Sequence, residues 1–157
     1  MNIRPIEEVD NLHMGEIIRE VLTEYGANRP GFAWQDPELD RLSTAYTGQD
    51  CYYVVDVDGV LAGGGGFARF ECDRSGVCEI QKMYLDARFR GRGFGDAMLT
   101  FLLAQARLNG FTYAYLESFS SMVEAIGLYE KLGFKKLACP LGDSGHGACD
   151  VWMGLEL

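Results

Sequence analysis

Apolar residues recur at helical spacing in three segments of the chain. The first segment places six of them on one face: Met14, Ile17, Ile18, Val21, Leu22 and Tyr25. This spacing predicts an amphipathic helix, and Gly26 is the type of residue that ends one. Similar patterns predict helices over residues 93–109, followed by Gly110, and 121–132, followed by Gly133.

Between these helices, segments rich in valine, tyrosine and other apolar residues predict strands. The predicted strands cover residues 3–6, 51–57, 60–70, 77–85, 111–117, 134–138 and 149–157. Asp58-Gly59 is a hairpin turn signal between the second and the third of them. The third strand contains the glycine run Gly63–Gly66, which is typical of a bulge or of a close approach by another backbone or a ligand.

A further, short helix is predicted from Pro37 to about Tyr46. Asp36 is a suitable N-cap, and Pro37 fits the first helical position. The predicted order of elements is then β-α-α-β-β-β-α-β-α-β-β. This order indicates an α/β (α+β) fold, a mixed sheet with helices on its faces. No repeat, low-complexity tract or linker divides the sequence, so we expect a single domain over residues 1–157.

The amino-acid composition limits the kinds of partner that the protein is expected to bind. The 157 residues include 14 lysines and arginines and 23 aspartates and glutamates, a formal net charge of −9. This acidity argues against a nucleic-acid binder, which neutralises phosphates with cations, and against adsorption to an anionic membrane. The sequence shows neither a signal peptide nor an apolar run long enough to span a bilayer. We therefore expect no nucleic-acid partner and no membrane association.

The cysteines indicate a reducing compartment. There are five of them, they are scattered, and no Cys-x-x-Cys occurs. This pattern is typical of free thiols in a cytoplasmic protein. Cys139, His146 and Cys149 come nearest to a metal-binding set, but they lack a fourth ligand and a recognisable spacing. We expect no metal.

The most informative segment is Arg88–Asp96. Its glycines let successive backbone N–H groups point inward, the start of the following helix adds positive dipole, and three arginines lie within five residues. We expect this segment to bind a pyrophosphate-like anion. The P-loop pattern does not fit, because no Lys-Ser or Lys-Thr is present. The Rossmann pattern does not fit either, because the glycines are spaced G-x-G-x-G.

Three stretches resemble one known family. Arg90-Gly91-Arg92-Gly93-Phe94-Gly95 resembles the acetyl-CoA loop of the GNAT N-acetyltransferase superfamily. Glu79–Leu85 resembles its pantetheine-binding strand, and Ala125–Phe134 resembles its A-x-x-L-Y-x-K-x-G-F motif. The order of elements matches over essentially the whole chain, and the sequence is similar to bacterial members of the small-molecule type. The resemblance implies a mixed, mostly antiparallel sheet of about six to seven strands flanked by about four helices.

The resemblance also implies acetyl-CoA as co-substrate and assigns residues to it. The cofactor-binding residues would be Arg88, Arg90, Gly91, Arg92, Gly93, Phe94, Gly95 and Asp96 in the loop, and Met83, Tyr84 and Leu85 in the strand. The loop amides would bind the pyrophosphate, and the strand would pair with the pantetheine. A backbone amide near Met83 or Tyr84 would polarise the thioester carbonyl. Many relatives carry an asparagine where this chain has Met122, so that contact is not assigned.

The implied reaction is direct attack of a primary amine of a small molecule on the thioester, within a ternary complex. Tyr129 matches the family's tyrosine acid for the leaving thiolate, although its position also suits a core aromatic residue. Glu79 is the candidate base, and the alternative is a surface glutamate on a strand. Gln81 shares the strand face of Glu79. Gln81, Glu117 and His146 are the candidate substrate contacts, although a loop histidine is more often simply exposed.

Two other functions stay open. One is a non-catalytic acyl-CoA-binding sensor or interaction module with the same fold, and the other is a protein or peptide N-acetyltransferase. Members of the family are often dimers, so the resemblance also allows a homodimer formed through the C-terminal strands.

The net charge is unevenly distributed. Residues 74–92 carry five cations and two carboxylates, so a basic segment lies within an acidic chain. The basic segment suits the phosphates of CoA, and the acidic remainder suits a cationic amine acceptor.

Overall fold

The computed structural model describes residues 1–157, and its elements follow the predicted order. The strands are β1 (Asn2–Pro5), β2 (Cys51–Val57), β3 (Val60–Arg69), β4 (Val77–Leu85), β5 (Tyr113–Ser118), β6 (Lys135–Lys136) and β7 (Val151–Glu156). The α-helices are α1 (Asn11–Glu24), α2 (Leu42–Ala45), α3 (Phe94–Leu108) and α4 (Val123–Lys131). Short 3-10 turns lie at Glu8–Asp10, Ala33–Gln35, Pro37–Asp40 and Ala87–Phe89. No helix has the length and apolar character needed to cross a bilayer.

A seven-stranded sheet in the order β1-β2-β3-β4-β5-β7-β6 organises the chain. β4 and β5 run parallel, and every other neighbouring pair is antiparallel. Parallel strands need a crossover connection, which α3 supplies. The structure thus confirms the predicted mixed, mostly antiparallel sheet with four helices. β6 is shorter than the strand predicted over residues 134–138.

Helices pack on both faces of the sheet because its central strands carry apolar side chains on both sides. Adjacent residues of β2 show the alternation. Val54 packs in the cluster that contains Met14 of α1, whereas Val55 packs in the cluster that contains Leu102 of α3. Burying a side chain of this kind contributes about 1.5–3 kcal/mol. The two layers therefore hold the sheet rigidly from opposite sides.

β4 and β5 pair only where they begin. Their register runs from Val77 opposite Tyr113 to Glu79 opposite Tyr115 and stops there. β4 continues to Leu85 and stays paired with β3 on its other side. The β4 edge that faces β5 is consequently left without a strand partner over residues 80–85, and a cleft opens between the two strands.

β4 is bulged at the start of this divergence. Its register with β3 shifts between Gly64, opposite Tyr84, and Gly66, opposite Gln81. Lys82 sits in the bulge with φ 47°, in the left-handed region that side chains other than glycine rarely adopt. Because a bulge bends its strand and increases the local twist, it turns the end of β4 away from β5.

The single helix predicted from Pro37 to Tyr46 is wrong. The segment forms a 3-10 turn at Pro37–Asp40 and then the one-turn helix α2. Arg41, between them, has φ −147° and ψ 35°, so the chain leaves the helical path there. Asp36 precedes the turn, but its side chain makes no capping hydrogen bond. Its carboxylate instead makes contacts with residues distant in sequence, described below.

Gly63 is the position in β3 where packing demands a glycine most clearly. Its φ is 152°, and a Cβ there would lie 2.9 Å from the Cα of Leu85 and closer still to the carbonyl oxygen of Tyr84. These are backbone atoms of the neighbouring strand and cannot move aside. The glycine run thus allows the close approach of β3 to β4 beside the bulge.

We predict that Gly63→Ala lowers the free energy of unfolding by about 2–3 kcal/mol, because the new methyl group overlaps backbone. Gly127→Ala is the matched control, since a Cβ at that helical position meets no atom within 4 Å. It should stabilise the protein by up to about 1 kcal/mol. Urea unfolding followed by circular dichroism measures both changes, and a Gly63→Ala variant as stable as the wild type would contradict the packing argument.

Candidate active site

A groove of about 550 Å³ follows the unpaired edge of β4 towards the start of α3. Met83, Tyr84 and Leu85 of β4 form one wall. The opposite wall belongs to α4, through Ala125 and Leu128, and the end of α1 contributes a third side. An extended ligand lying along β4 can therefore use the strand's free N–H and C=O groups, as an added strand would.

The glycine loop supplies hydrogen-bond donors at the end of this groove. Gly91 and Gly93 have φ values of 70° and 82°, which turn the chain into α3 with Gly93 as its N-cap. The first intrahelical bond runs from the N–H of Ala97 to the carbonyl of Gly93, at 3.1 Å. The amides of residues 94–96 thus lack helical partners and, with the helix dipole, form a site for an anion.

Arg90 is the loop arginine that lines the groove. Its guanidinium donates to the two carboxylate oxygens of Glu24, at 2.9 and 2.8 Å, and to the carbonyl of Leu85, at 3.0 Å. The hydrogen bonds from Arg90 lower the pKa of Glu24, so this pair is charged at neutral pH. These contacts hold the loop against the end of α1 and the end of β4.

The groove brings together eight of the eleven predicted cofactor residues: Met83, Tyr84, Leu85, Arg90, Gly91, Gly93, Gly95 and Asp96. Arg88, Arg92 and Phe94 are not among its lining residues. Arg88 pairs with Asp86 at 2.5 Å. The guanidinium carbon of Arg92 lies 4.9 Å from the ring centre of Phe94. The side chains of these three residues therefore contact the loop itself and its near neighbours.

A second pocket, of about 60 Å³, lies at the point where β4 and β5 diverge. All four residues predicted to act on the acceptor side line it: Glu79, Gln81, Glu117 and His146. Phe32 and Ala33, from the segment before α2, and Cys149, from the loop before β7, close it. Strands β4 and β5 thus carry Glu79, Gln81 and Glu117, and the loops that cover these groups include His146.

The groove and the pocket share one wall, formed by Met83, Tyr84, Met122 and Tyr129. The ring of Tyr129 packs 6.0 Å from that of Phe134, as a core residue would. Its hydroxyl forms no hydrogen bond within the chain, and burial raises the pKa of Tyr129 to about 12. The hydroxyl therefore stays protonated at neutral pH and is free to donate where the two cavities meet.

Glu79 is buried, with 4% of its surface exposed, so it is not a surface glutamate. Gln81 donates from Nε2 to Glu79 Oε2 at 2.6 Å, and the hydroxyl of Tyr46 donates to Gln81 Oε1 at 2.9 Å. Burial raises the pKa of Glu79, the hydrogen bond from Gln81 opposes that shift, and the charge of Glu117 adds to it. Gln81 thus uses its amide to orient Glu79.

Lys82 is the buried cation of the site, with 4% of its side chain exposed. Its ammonium contacts Asp36 at 2.8 Å and Glu38 at 3.0 Å, and the hydroxyl of Tyr52 donates to its carbonyl at 2.8 Å. Burial disfavours the charge, but the two carboxylates hold the pKa of Lys82 above its ordinary value. The contact also explains why Asp36 does not cap the turn that follows it.

The loop before β7 joins the same network. His146 Nε2 lies 3.1 Å from Asp36 Oδ2, and this hydrogen bond raises the pKa of His146 against the opposing effect of burial. Ser144 donates to Glu117 Oε2 at 2.7 Å and accepts from the N–H of His146 at 3.2 Å. Tyr115 donates to the other oxygen of Glu117 at 2.7 Å. His146 is therefore an anchored part of the pocket rather than an exposed loop residue.

The patterns in the sequence did not predict the roles of Lys82, Asp36 and Tyr46. One signal was available, because the adjacent polar residues Gln81 and Lys82 interrupt the alternation of β4, as a bulge does. Asp36 and Tyr46 carry no comparable signal, since their partners lie more than thirty residues away.

Known proteins resemble the chain in sequence and in fold. Residues 16–134 match the Acetyltransferase (GNAT) family. The chain is 40% identical over 150 residues to the uncharacterized N-acetyltransferase YjgM of Escherichia coli, covering 94% of this chain and 90% of the relative. A GNAT acetyltransferase structure from Staphylococcus aureus has a TM-score of 0.85 at 16% identity, covering 99% and 98% of the two chains. The yncA structure from Salmonella typhimurium, solved with acetyl-CoA, has a TM-score of 0.74 at 22% identity, covering 99% and 93%.

These matches agree with the features that the sequence predicted. The family match includes the glycine loop, β4 and the helix that bears Tyr129. The relative at 40% identity covers nearly the whole chain. The chain therefore belongs to the GNAT acetyltransferase family and is an acyltransferase.

Proposed function

We propose that this acyltransferase moves the acetyl group of acetyl-CoA to a primary amine of a small molecule. The observation that carries the proposal is the shared wall at Tyr129, where the groove beside the glycine loop meets the pocket that Glu79 lines. A donor in the groove and an acceptor in the pocket would face each other across this wall. That is the arrangement that direct transfer in a ternary complex requires.

Three features of the groove fit acetyl-CoA. The amides of residues 94–96 suit a pyrophosphate. The guanidinium of Arg90 suits it as well, because Glu24 and Leu85 leave two of its five N–H groups unbonded. The Glu24 side chain is half exposed to solvent, more than either acidic partner of Lys82. The unpaired edge of residues 80–85 suits the amides of pantetheine. When bound, acetyl-CoA supplies an activated acetyl thioester. We infer that a backbone N–H beside the bulge, at Met83 or Tyr84, donates to the thioester carbonyl as negative charge develops there.

The reaction needs two proton transfers, and Glu79 and Tyr129 each carry out one of them. Glu79 accepts a proton from the acceptor's ammonium, which frees the nitrogen lone pair to bond to the acetyl carbon. Tyr129 donates its hydroxyl proton to the sulfur as the carbon–sulfur bond breaks. Gln81 and Tyr46 act as positioning residues, because they hold one oxygen of Glu79 and leave the other for the acceptor.

The two alternatives have less support. A sensor without activity has no use for a free tyrosine hydroxyl and a buried carboxylate beside one junction. A protein or peptide acceptor needs a wide channel, whereas the segment around Phe32 and the loop around His146 partly cover a pocket of about 60 Å³. The geometry favours a small acceptor.

We predict that Arg90→Met weakens acetyl-CoA binding by about 10- to 100-fold, because a hydrogen bond to a charged phosphate contributes about 1.5–3 kcal/mol. Arg107→Met is the control, since it removes the same charge from an exposed position at the far end of α3. Isothermal titration calorimetry measures both affinities. If the two variants bind acetyl-CoA equally well, Arg90 does not contact the cofactor.

Tyr129→Phe should lower kcat by about 100-fold, because the variant cannot protonate the leaving sulfur. Its affinity for acetyl-CoA should not change. Tyr53→Phe is the control, because Tyr53 packs against Phe101 and lines neither cavity. Release of CoA thiol in the presence of a panel of amines gives kcat. A Tyr129→Phe enzyme with wild-type kcat would show that another group is the acid.

The pH dependence tests Glu79. Burial raises the pKa of Glu79 above the ordinary value of a glutamate. Below that pKa Glu79 is protonated and cannot accept a proton, so kcat/KM should rise with pH through it. Glu79→Gln should remove this acid limb and lower the rate. Gln81→Leu should move the limb to higher pH, since it deletes the hydrogen bond that favours the charged form. An acid limb that survives in Glu79→Gln would exclude Glu79 as the base.

A further inference from the structure

We propose that the acceptor is a small amine without a carboxylate group, so that the enzyme selects amines over the corresponding amino acids. The proposal rests on the acetyltransferase function proposed above and names its substrate class. It comes from the way the charges around the acceptor pocket are paired.

The basic groups that line the pocket already hold carboxylates of the chain itself. Lys82 contacts Asp36 and Glu38 at 2.8 and 3.0 Å, and His146 contacts the same Asp36 at 3.1 Å. The carboxylate of an acceptor would have to displace these internal partners. A group tethered by the fold competes at a far higher effective concentration than a free ligand, so displacement is unfavourable.

The carboxylates that line the pocket are not bonded to a cation. Glu79 accepts a hydrogen bond from the amide of Gln81, and Glu117 accepts from the hydroxyls of Tyr115 and Ser144. Neutral donors of this kind stabilise a carboxylate without cancelling its charge. Both side chains therefore attract an ammonium group and repel a carboxylate, most strongly where water is excluded.

The whole cluster carries excess negative charge. It contains four carboxylates and two basic groups: Asp36, Glu38, Glu79, Glu117, Lys82 and His146. With every group ionised the cluster carries two net negative charges, and with Glu79 protonated it still carries one. An acceptor ammonium reduces this excess, whereas an α-carboxylate increases it.

Matched triplets of acceptors test the proposal. Each triplet consists of a small amino acid, its carboxamide and the decarboxylated amine, such as alanine, alaninamide and ethylamine, or serine, serinamide and ethanolamine. The carboxamide has the shape of the carboxylate without its charge. Thiol release by the wild-type enzyme should give a kcat/KM for the amine and the carboxamide at least about 100-fold above that for the amino acid.

The outcomes separate this proposal from the one on which it rests. Amino acids that react as fast as their carboxamides overturn it and leave the acetyltransferase function standing. Carboxamides as poor as the amino acids also overturn it, because shape rather than charge would then exclude both. If no primary amine in any triplet releases thiol, the proposed function fails, and the substrate class fails with it.

A pair of variants locates the selectivity in the pocket. Glu117→Gln should lower the ratio of kcat/KM for the amine to kcat/KM for the amino acid by about tenfold. The substitution removes one of the repelling charges but keeps a hydrogen-bond acceptor for Tyr115. Glu16→Gln changes the net charge equally at an exposed position on α1 and should leave the ratio unaltered. Equal effects of the two variants would assign the selectivity to overall charge and contradict the proposal.

Discussion

The divergence of β4 from β5 is the constraint on which the rest of the site depends. Pairing between the two strands ends at Glu79 and Tyr115, and the bulge at Lys82 follows almost at once. One consequence is an unpaired backbone edge beside the glycine loop. The other is a pocket between the strands, lined by Glu79, which is the last residue of β4 that pairs with β5. The groove and the pocket thus both result from one interruption in the sheet, and we propose that they hold the donor and the acceptor.

The bulge is held by an interaction that also sets the chemistry of the pocket. A left-handed lysine costs about 1–3 kcal/mol, and a buried ammonium costs several more unless it is paired. Asp36 and Glu38 provide the pairing, and in doing so they draw the segment before α2 onto β4. His146 extends the network to the loop before β7. The contacts that close the pocket therefore also pair the cations that line it, so the proposed acceptor selectivity depends on the same ion pairs that stabilise the fold.

Local patterns in the sequence predicted the secondary structure and the order of its elements well. Periodicity, glycine caps and the Asp58-Gly59 turn specify the helices, the β2–β3 hairpin and the order of strands, because each depends on neighbouring residues. The glycine loop was predictable for the same reason. The pairing of its arginines was not, since Glu24 reaches Arg90 only after α1 has packed. Asp36 is the clearest example of a contact that local patterns cannot predict. Its position suits a helix cap, yet its carboxylate pairs with a buried lysine that lies far along the chain.

A crystal structure of the enzyme with CoA and an unreactive acceptor amine would show directly whether the groove and the pocket meet at the reaction centre. We expect the sulfur of CoA within about 3.5 Å of the Tyr129 hydroxyl, with the acceptor nitrogen beside Glu79 on the other side of the shared wall. A CoA sulfur outside hydrogen-bond reach of Tyr129, or an acceptor bound away from Glu79, would contradict the claim that groove and pocket meet at the reaction centre.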